Sequence, residues 1–405
     1  ARKAPHYKLF NTICDSTERR QAEVARLAEA VEAVVVVGGH HSGNTNRLAE
    51  IVRQTGKPVF RIEPESELDP EALSSIQTIG ITAGASTPNW IIKRVYRTLE
   101  SLLLKKKSGW RSSLFNLQRN LLLTNLYLSV GAGSICYACL SLQGFTSTFT
   151  PVLISMLYVL SMHIFNQLTG IKADKYNDPD RASFYKKHKT PLALLAVISG
   201  VACLLTAFLA GWIPFLILLT MSITGVTYNI RLIPKWLKTG KYRRIRDIPG
   251  SKTVLIALAW GLVTAIIPAI ALLNTIAVST LLVFIWATCL VFVRTAFFDI
   301  LDMQGDRIVG RETIPILIGE QRSIRLLKSI LIGSIAILFF SSLFQFVTNL
   351  GFGLTICSIF FYIVLTAHER GRMLPGIGLE FLIETHLVLA GFITLPWELI
   401  KARYF

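Results

Sequence analysis

The chain has 405 residues, of which 52% are hydrophobic and only 17% charged. A soluble protein of this size needs more charged surface, and a disordered chain would be far less apolar; both classes are excluded, leaving an integral membrane protein. The net charge of +17 is unevenly placed: residues 1–104 carry 13 Lys/Arg against 12 Asp/Glu, and residues 105–405 carry 29 against 13. A basic excess confined to the apolar part points to cytoplasmic loops of a membrane protein, not to nucleic acid. The six cysteines are scattered and form no secreted disulfide framework. The sequence starts at Ala1, with no signal peptide ahead of the polar part, so a natural start further upstream is expected.

Residues 1–104 read as a small α/β domain. The β-branched run Val34–Val37 is of buried-strand type and ends in Gly38-Gly39. A helical pattern follows through Leu48 and Ile51, with further strands expected at 58–62 and 79–82. A helix opens near Thr87-Pro88, with a hydroxyl at the cap and proline in the first turn. Strands alternating with helices predict a parallel sheet. Residues 105–120 are expected to form a basic linker, opening on Lys105-Lys106-Lys107.

From residue 121 onward the chain reads as a multi-pass α-helical bundle. Nine apolar runs are long enough to span hydrocarbon: 121–142, 148–169, 190–210, 212–229, 253–273, 276–298, 326–347, 349–367 and 379–397. The loops after the second, fourth, sixth and eighth runs are basic, and the others carry no Lys or Arg. The positive-inside rule places the basic loops and the N-terminal domain in the cytoplasm, and the protein in the inner (cytoplasmic) membrane.

All seven Asp residues beyond position 104 fall in the basic loops: Asp174, Asp178, Asp180, Asp247, Asp299, Asp302 and Asp306. Asn166, Gly170, Asp174 and Asp178 are spaced by four, one stripe if the second helix continues past the bilayer. Asp299, Asp302 and Asp306 are spaced i, i+3, i+7, again one face. Stacked carboxylates repel, and a divalent cation removes that cost. Mg²⁺ is usually held by one or two carboxylates plus substrate phosphates. Two acidic stripes interleaved with Lys172, Arg181 and Arg307 suit a bound diphosphate, and the apolar interior suits an isoprenoid tail. The competing view, solvated loop charges, is the better one for a single Asp but not for two clusters with matched spacing.

At these residues the chain resembles the UbiA superfamily of intramembrane prenyltransferases, over about residues 110–405. The family motif DxxDxxxD matches at Asp299, Asp302 and Asp306. In the family's NDxxDxxxD motif, Asn166 and Asp174 match, while Gln167 and Gly170 stand where it has Asp; Asp178, one turn on, could supply a ligand. Of the YxxxK element Tyr228 is present but Leu232 replaces the lysine, so Arg231 or Lys252 would take its role. The resemblance implies a nine-helix bundle and Mg²⁺-dependent transfer of a prenyl group from an allylic prenyl diphosphate to an acceptor, often aromatic or lipid-like. Asp174, Asp178, Asp299, Asp302 and Asp306 would be catalytic, with Mg²⁺ on Asp174, Asp178, Asp302 and Asp306. Asn166, Lys172, Arg181, Tyr228, Arg231, Lys252, Arg294 and Arg307 would bind substrate.

The N-terminal domain carries small, hydroxyl-rich turns at helix N-termini, Gly38–Thr45 and Thr82–Pro88. Such turns bind anions through free backbone N–H groups; equally, Ser42 or Ser86 can simply cap its helix. Together with Asn11–Gln21, these segments resemble the C-terminal third of LytB/IspH-type hydroxymethylbutenyl diphosphate reductases, over about residues 8–103. That resemblance makes Cys14 an iron–sulfur ligand and Ser42, Asn44 and Ser86 diphosphate-binding, with Gly43 replacing a usual serine. The remaining cysteines, Cys136, Cys139, Cys203, Cys289 and Cys357, sit in apolar runs, and the CxxC spacing of Cys136 and Cys139 reads as packing. One cysteine cannot hold a cluster, so reductase activity would need a longer parent chain. The domain is then part of a fusion or a retained diphosphate-binding module.

Arg294, Glu384 and His386 lie inside spans, where ionisable groups are functional candidates. Arg294, one turn from Asp299, is expected to face the site; Glu384 and His386 would orient an acceptor or pair with each other. A transporter would carry its ionisable groups nearer the midplane, and a degenerate binding protein is the third possibility.

Overall fold

The computed structural model describes residues 15–84, 87–106, 109–145, 149–228, 248–371, 373 and 376–404. The chain divides into two compact units, residues 1–113 and 114–405.

The first unit runs α1 (Asp15–Ala30), β1 (Ala33–Val37), α2 (Gly43–Gln54), β2 (Val59–Ile62), β3 (Ile79–Ala83) and α3 (Asn89–Lys106). The three strands pair in parallel in the order β2-β1-β3, with Val35 opposite Phe60 on one side and Ile81 on the other. All of β1 is buried because both faces of the sheet are covered, which is why its sequence is a continuous apolar run. Val34 and Val36 pack with Leu48 and Val52 of α2 and Val24 and Ala28 of α1. Val35 and Val37 face the other way, onto Val95 and Leu99 of α3. Gly38 turns the chain out of β1 at φ +154°, and a Cβ there would lie 2.5 Å from Thr45 Oγ1; only glycine fits.

Residues 109–123 form α4 (Gly109–Leu123), so helix occupies most of the expected linker. The second unit continues with α5 (Leu126–Leu142), α6 (Phe149–Asn177), α7 (Pro179–Lys187), α8 (Lys189–Ala210), α9 (Trp212–Thr227), α10 (Ser251–Gly261), α11 (Ile267–Leu273) and α12 (Val278–Leu301). It ends with α13 (Met303–Ile308), α14 (Ile314–Ile318), α15 (Glu320–Leu343), α16 (Leu350–Glu369) and α17 (Ile377–Tyr404). Among the described residues, seven helices are long and apolar enough to cross a membrane, or eight if the bent pair α4–α5 counts as one span. Helix α9 is apolar but shorter. Each of the nine expected runs overlaps a described helix or helix pair, with bounds that differ by up to several residues. Their outer faces carry exposed Val197, Leu205, Leu209, Ile332, Ile363 and Phe392, side chains that suit lipid. The core gathers Trp260, Trp286, Phe297 and Phe361.

Two irregularities shape the interior. The first is a 72° bend between α4 and α5. Asn125, at φ 58° and 3% exposed, sits at this break. Its Nδ2 donates to Gln167 Oε1 at 2.9 Å and to the Tyr185 hydroxyl at 2.8 Å. Asn is among the few residues that tolerate this conformation and also bring hydrogen bonds. Asn125→Ala is therefore expected to destabilise the protein by about 1–3 kcal/mol, read by thermal unfolding in detergent; Asn125→Gly, which keeps only the backbone freedom, recovers part of the loss. The second is a π-helical turn, Leu262–Ile266, joining α10 to α11. Pro268 lacks the N–H that would bond the Thr264 carbonyl, and the wider turn accommodates its ring. The neighbouring Val263 carbonyl accepts a hydrogen bond from Ser155 Oγ at 2.9 Å.

Candidate active site

Helix α6 has 29 residues and is about 43 Å long, while hydrocarbon takes about 20 residues. Its apolar span covers Phe149–Gly170, so residues 171–177 extend past that span and Asn166 lies about one turn inside its end. The helix stops at Asn177. Asp178 is not part of the expected stripe: it caps α7, its carboxylate accepting from Arg181 N at 3.1 Å. Proline at the next position favours that break. The side chains of Lys172 and Asp174 lie outside the described residues, as do Arg231 and Asp247 entirely.

The second acidic group is also interrupted. Helix α12 ends at Leu301, and Asp302 occupies the junction before α13. Asp299 and Asp306 are each 3% exposed. Thr253 Oγ1 donates to Asp299 Oδ2 at 2.5 Å, and Asn177 Nδ2 donates to Asp306 Oδ1 at 2.9 Å. The Asn177 bond ties the end of α6 to the second acidic group. Arg311 lies 3.6 Å from Asp306. Burial pushes the Asp306 carboxyl up from the ordinary range, while Lys252 and the Asn177 hydrogen bond pull against it. Lys252, Asp302 and Asp306 all act electrostatically on Asp299.

Below this end of the bundle, α6, α9 and α10 line a half-open cavity of about 540 Å³. Asn166, Tyr228 and Lys252 line it together; the Tyr228 hydroxyl is 3.1 Å from Ser251 Oγ. Most of the remaining wall is apolar, apart from His163, Thr220 and Thr224.

Several expected binding residues have protein partners. Arg181 is held by Asp178 at 3.2 Å and by Glu380 of α17 at 3.0 Å. Arg294 forms a bidentate pair with Glu384, Nε to Oε2 at 2.8 Å and Nη2 to Oε1 at 2.5 Å. The guanidinium thus faces α17, and Glu384 pairs with it rather than with His386, whose ring stacks on Phe361. Arg307 is exposed on α13. Asn177 and Thr253 were not singled out from sequence; Asn177 lies inside the first acidic cluster, where an amide among carboxylates was the available signal.

The donor set fits Mg²⁺. Among the described residues no three His, Cys, Asp or Glu side chains converge to hold a metal unaided. Hard oxygens are nevertheless close, and Asn177 Oδ1 is buried without a hydrogen-bond partner. A cation completed by substrate phosphate oxygens matches such a set. An iron–sulfur cluster does not fit: five of the six cysteines lie on helices of the second unit, and Cys14, the single cysteine of residues 1–113, lies outside the described residues and cannot hold a cluster alone.

In the first unit, the turns after β1 and β3 meet at the carboxyl end of the sheet. Gly84 N donates to Val37 O at 3.0 Å, and Cβ atoms on Gly38 or Gly84 would both collide with Thr45 Oγ1. Ser42 caps α2, accepting from Thr45 N at 3.4 Å. Asn44 lies in the first turn of α2; Ser86 lies outside the described residues.

A model of the UbiA prenyltransferase family matches residues 126–373, more than half of the chain. The chain belongs to the UbiA prenyltransferase family. A LytB protein family model matches residues 1–100. The 4-hydroxy-3-methylbut-2-enyl diphosphate reductase of Geotalea daltonii is 43% identical over 104 residues, 26% of this chain and 37% of that protein. The one from Solidesulfovibrio magneticus is 52% identical over 93 residues, 23% of this chain and 32% of that protein. The chain thus spans about a third of the length of these curated relatives. Among solved structures, a UbiA homolog from Aeropyrum pernix shares 13% identity over 66% of this chain and 98% of its own, with a TM-score of 0.49. A UbiA homolog from Archaeoglobus fulgidus bound to GPP and Mg²⁺ shares 16% identity over 68% of this chain and 99% of its own, with a TM-score of 0.48. This UbiA-family chain is an integral membrane protein with a LytB-like α/β unit ahead of its helical bundle.

Proposed function

We propose that the protein transfers a prenyl group from an allylic prenyl diphosphate to an acceptor inside the membrane, in a Mg²⁺-dependent reaction. One observation carries this: Asn166, Tyr228 and Lys252 line one apolar cavity, with Lys252 in electrostatic reach of the buried Asp299 and Asp306. The headgroup lies against Lys252 and Tyr228, and the tail runs down the cavity. Asp302 and Asp306, with Asn177 Oδ1 and Asp174 in the last turn of α6, would hold Mg²⁺. When bound, Mg²⁺ supplies Lewis-acid stabilisation of the charge that develops on the diphosphate.

The donor's C1–O bond breaks with its electron pair on the diphosphate. An electron pair of the acceptor forms the new bond to C1, and the acceptor's proton passes to the released diphosphate. Apolar walls keep water from the allylic cation. Nine spans in the inner membrane, with the acidic loops and the N-terminal unit cytoplasmic, agree with the basic loops. For the N-terminal unit we propose retention of an anion-binding turn around Ser42 and Asn44, at the strand ends where α/β sheets bind ligands.

Purified full-length protein in lipid nanodiscs is expected to release diphosphate from a short allylic prenyl diphosphate only with Mg²⁺ present. Chelation abolishes release and re-addition restores it. Release that persists in excess chelator contradicts the proposal.

A further inference from the structure

Of the polar groups in the cavity wall that diphosphate binding does not use, Thr220 and Thr224 bond back to carbonyls of their own helix, which leaves His163. His163 lies one turn below Asn166 on α6, about 4.5 Å deeper along the helix. Trp260 Nε1, which can only donate, points its N–H at His163 Nε2 across 3.3 Å, with the two rings edge-on at 88°. Nε2 therefore keeps its lone pair, the ring is neutral, and its proton sits on Nδ1. Among the described residues His163 has no other hydrogen-bond partner. Trp260 is set in place from behind, where the π-helical turn begins two residues later and Ser155 holds the Val263 carbonyl.

A fixed imidazole N–H in an apolar cavity is costly unless the occupant offers an oxygen. The hydrocarbon tail of a prenyl donor has none. The diphosphate belongs one turn higher, with Lys252 and Tyr228. Of the two substrates, the acceptor is the one that can bring an oxygen to this depth.

Resting on the prenyltransferase reading, we propose that His163, locked by Trp260, is the acceptor-recognition residue. Its Nδ1–H donates to a phenolic or alcoholic oxygen of the acceptor, beside the atom that attacks C1. The acceptor is thereby an oxygen-bearing molecule, not a plain hydrocarbon. His163 keeps its proton throughout: it orients the acceptor's nucleophilic atom and takes no part in the bonds made or broken.

The test compares binding of a hydroxyaromatic compound with its matched deoxy analogue. Calorimetry is done on the full chain in nanodiscs, with Mg²⁺ and inorganic diphosphate present. Wild type is expected to favour the hydroxy compound by about tenfold to a hundredfold. His163→Phe brings that ratio close to one and leaves the affinity for Mg²⁺ with inorganic diphosphate within about threefold. His163→Asn, which keeps an N–H donor, retains part of the preference, and Trp260→Phe narrows it by freeing the ring. Because the readout is a ratio of two ligands on the same sample, partial misfolding of a variant does not imitate the effect. A wild-type ratio near one, or a preference that survives His163→Phe, overturns the assignment. Failure of the prenyltransferase reading would show separately, as no diphosphate release by wild type.

Discussion

Asp302→Ala is expected to lower Mg²⁺-dependent diphosphate release by on the order of 10²–10³-fold, the usual effect of removing one charge-stabilising group from a preorganised site. Asp302 sits at the junction of α12 and α13 and acts electrostatically on both Asp299 and Asp306. Its two neighbours are bound to Thr253 and Asn177, so they are oriented by the protein before any metal arrives. Losing Asp302 removes negative charge where the cation is needed and leaves the packing of α12 in place. The loss should therefore appear in turnover, with a melting temperature close to that of wild type. Full activity in the Asp302→Ala protein would refute the assignment of this junction as the metal site.

The second large effect concerns stability. Arg294→Leu alone, or Glu384→Leu alone, is expected to destabilise the fold by about 3–5 kcal/mol, because each leaves a buried charge without its partner. Both side chains are almost fully buried, and their two hydrogen bonds join α12 to α17. The double replacement removes both charges and is expected to recover most of the loss. Thermal unfolding of the three proteins checks this. A double variant as unstable as the worse single variant would show that the pair contributes through something other than mutual neutralisation.

Much of the architecture was legible in the chain. The β-branched run at Val34–Val37 became a strand buried on both faces, and the parallel sheet followed from alternation. Apolar length was enough to locate the helices, though seven, or eight with the bent pair, are long enough to cross a membrane among the described residues, against nine expected runs. Breaks in the helices were harder to read. Periodicity at Asn166, Gly170, Asp174 and Asp178 assumes an unbroken helix, but Pro179 ends it and Asp178 becomes a cap. The same assumption failed at Asp302. The bend at Asn125 and the π-helical turn before Pro268 depend on tertiary hydrogen bonds, to Gln167 and Tyr185 and from Ser155, that no local pattern reveals. Arg294 carried a usable signal, since one positive and one negative charge lie inside separate spans. Its nearness to Asp299 in sequence suggested the site, whereas its side chain turns to Glu384. Tyr228 and Lys252 come from segments on either side of residues 229–247, and only the fold brings both to one cavity.

The proposed reaction requires a divalent cation held jointly by this acidic junction and a diphosphate. Electron paramagnetic resonance of Mn²⁺ added to the full chain in nanodiscs measures it directly. Tight, stoichiometric Mn²⁺ binding is expected only when inorganic diphosphate is also present, and it should be lost in Asp306→Ala. Mn²⁺ bound equally well without diphosphate, or unaffected by that substitution, would contradict the account.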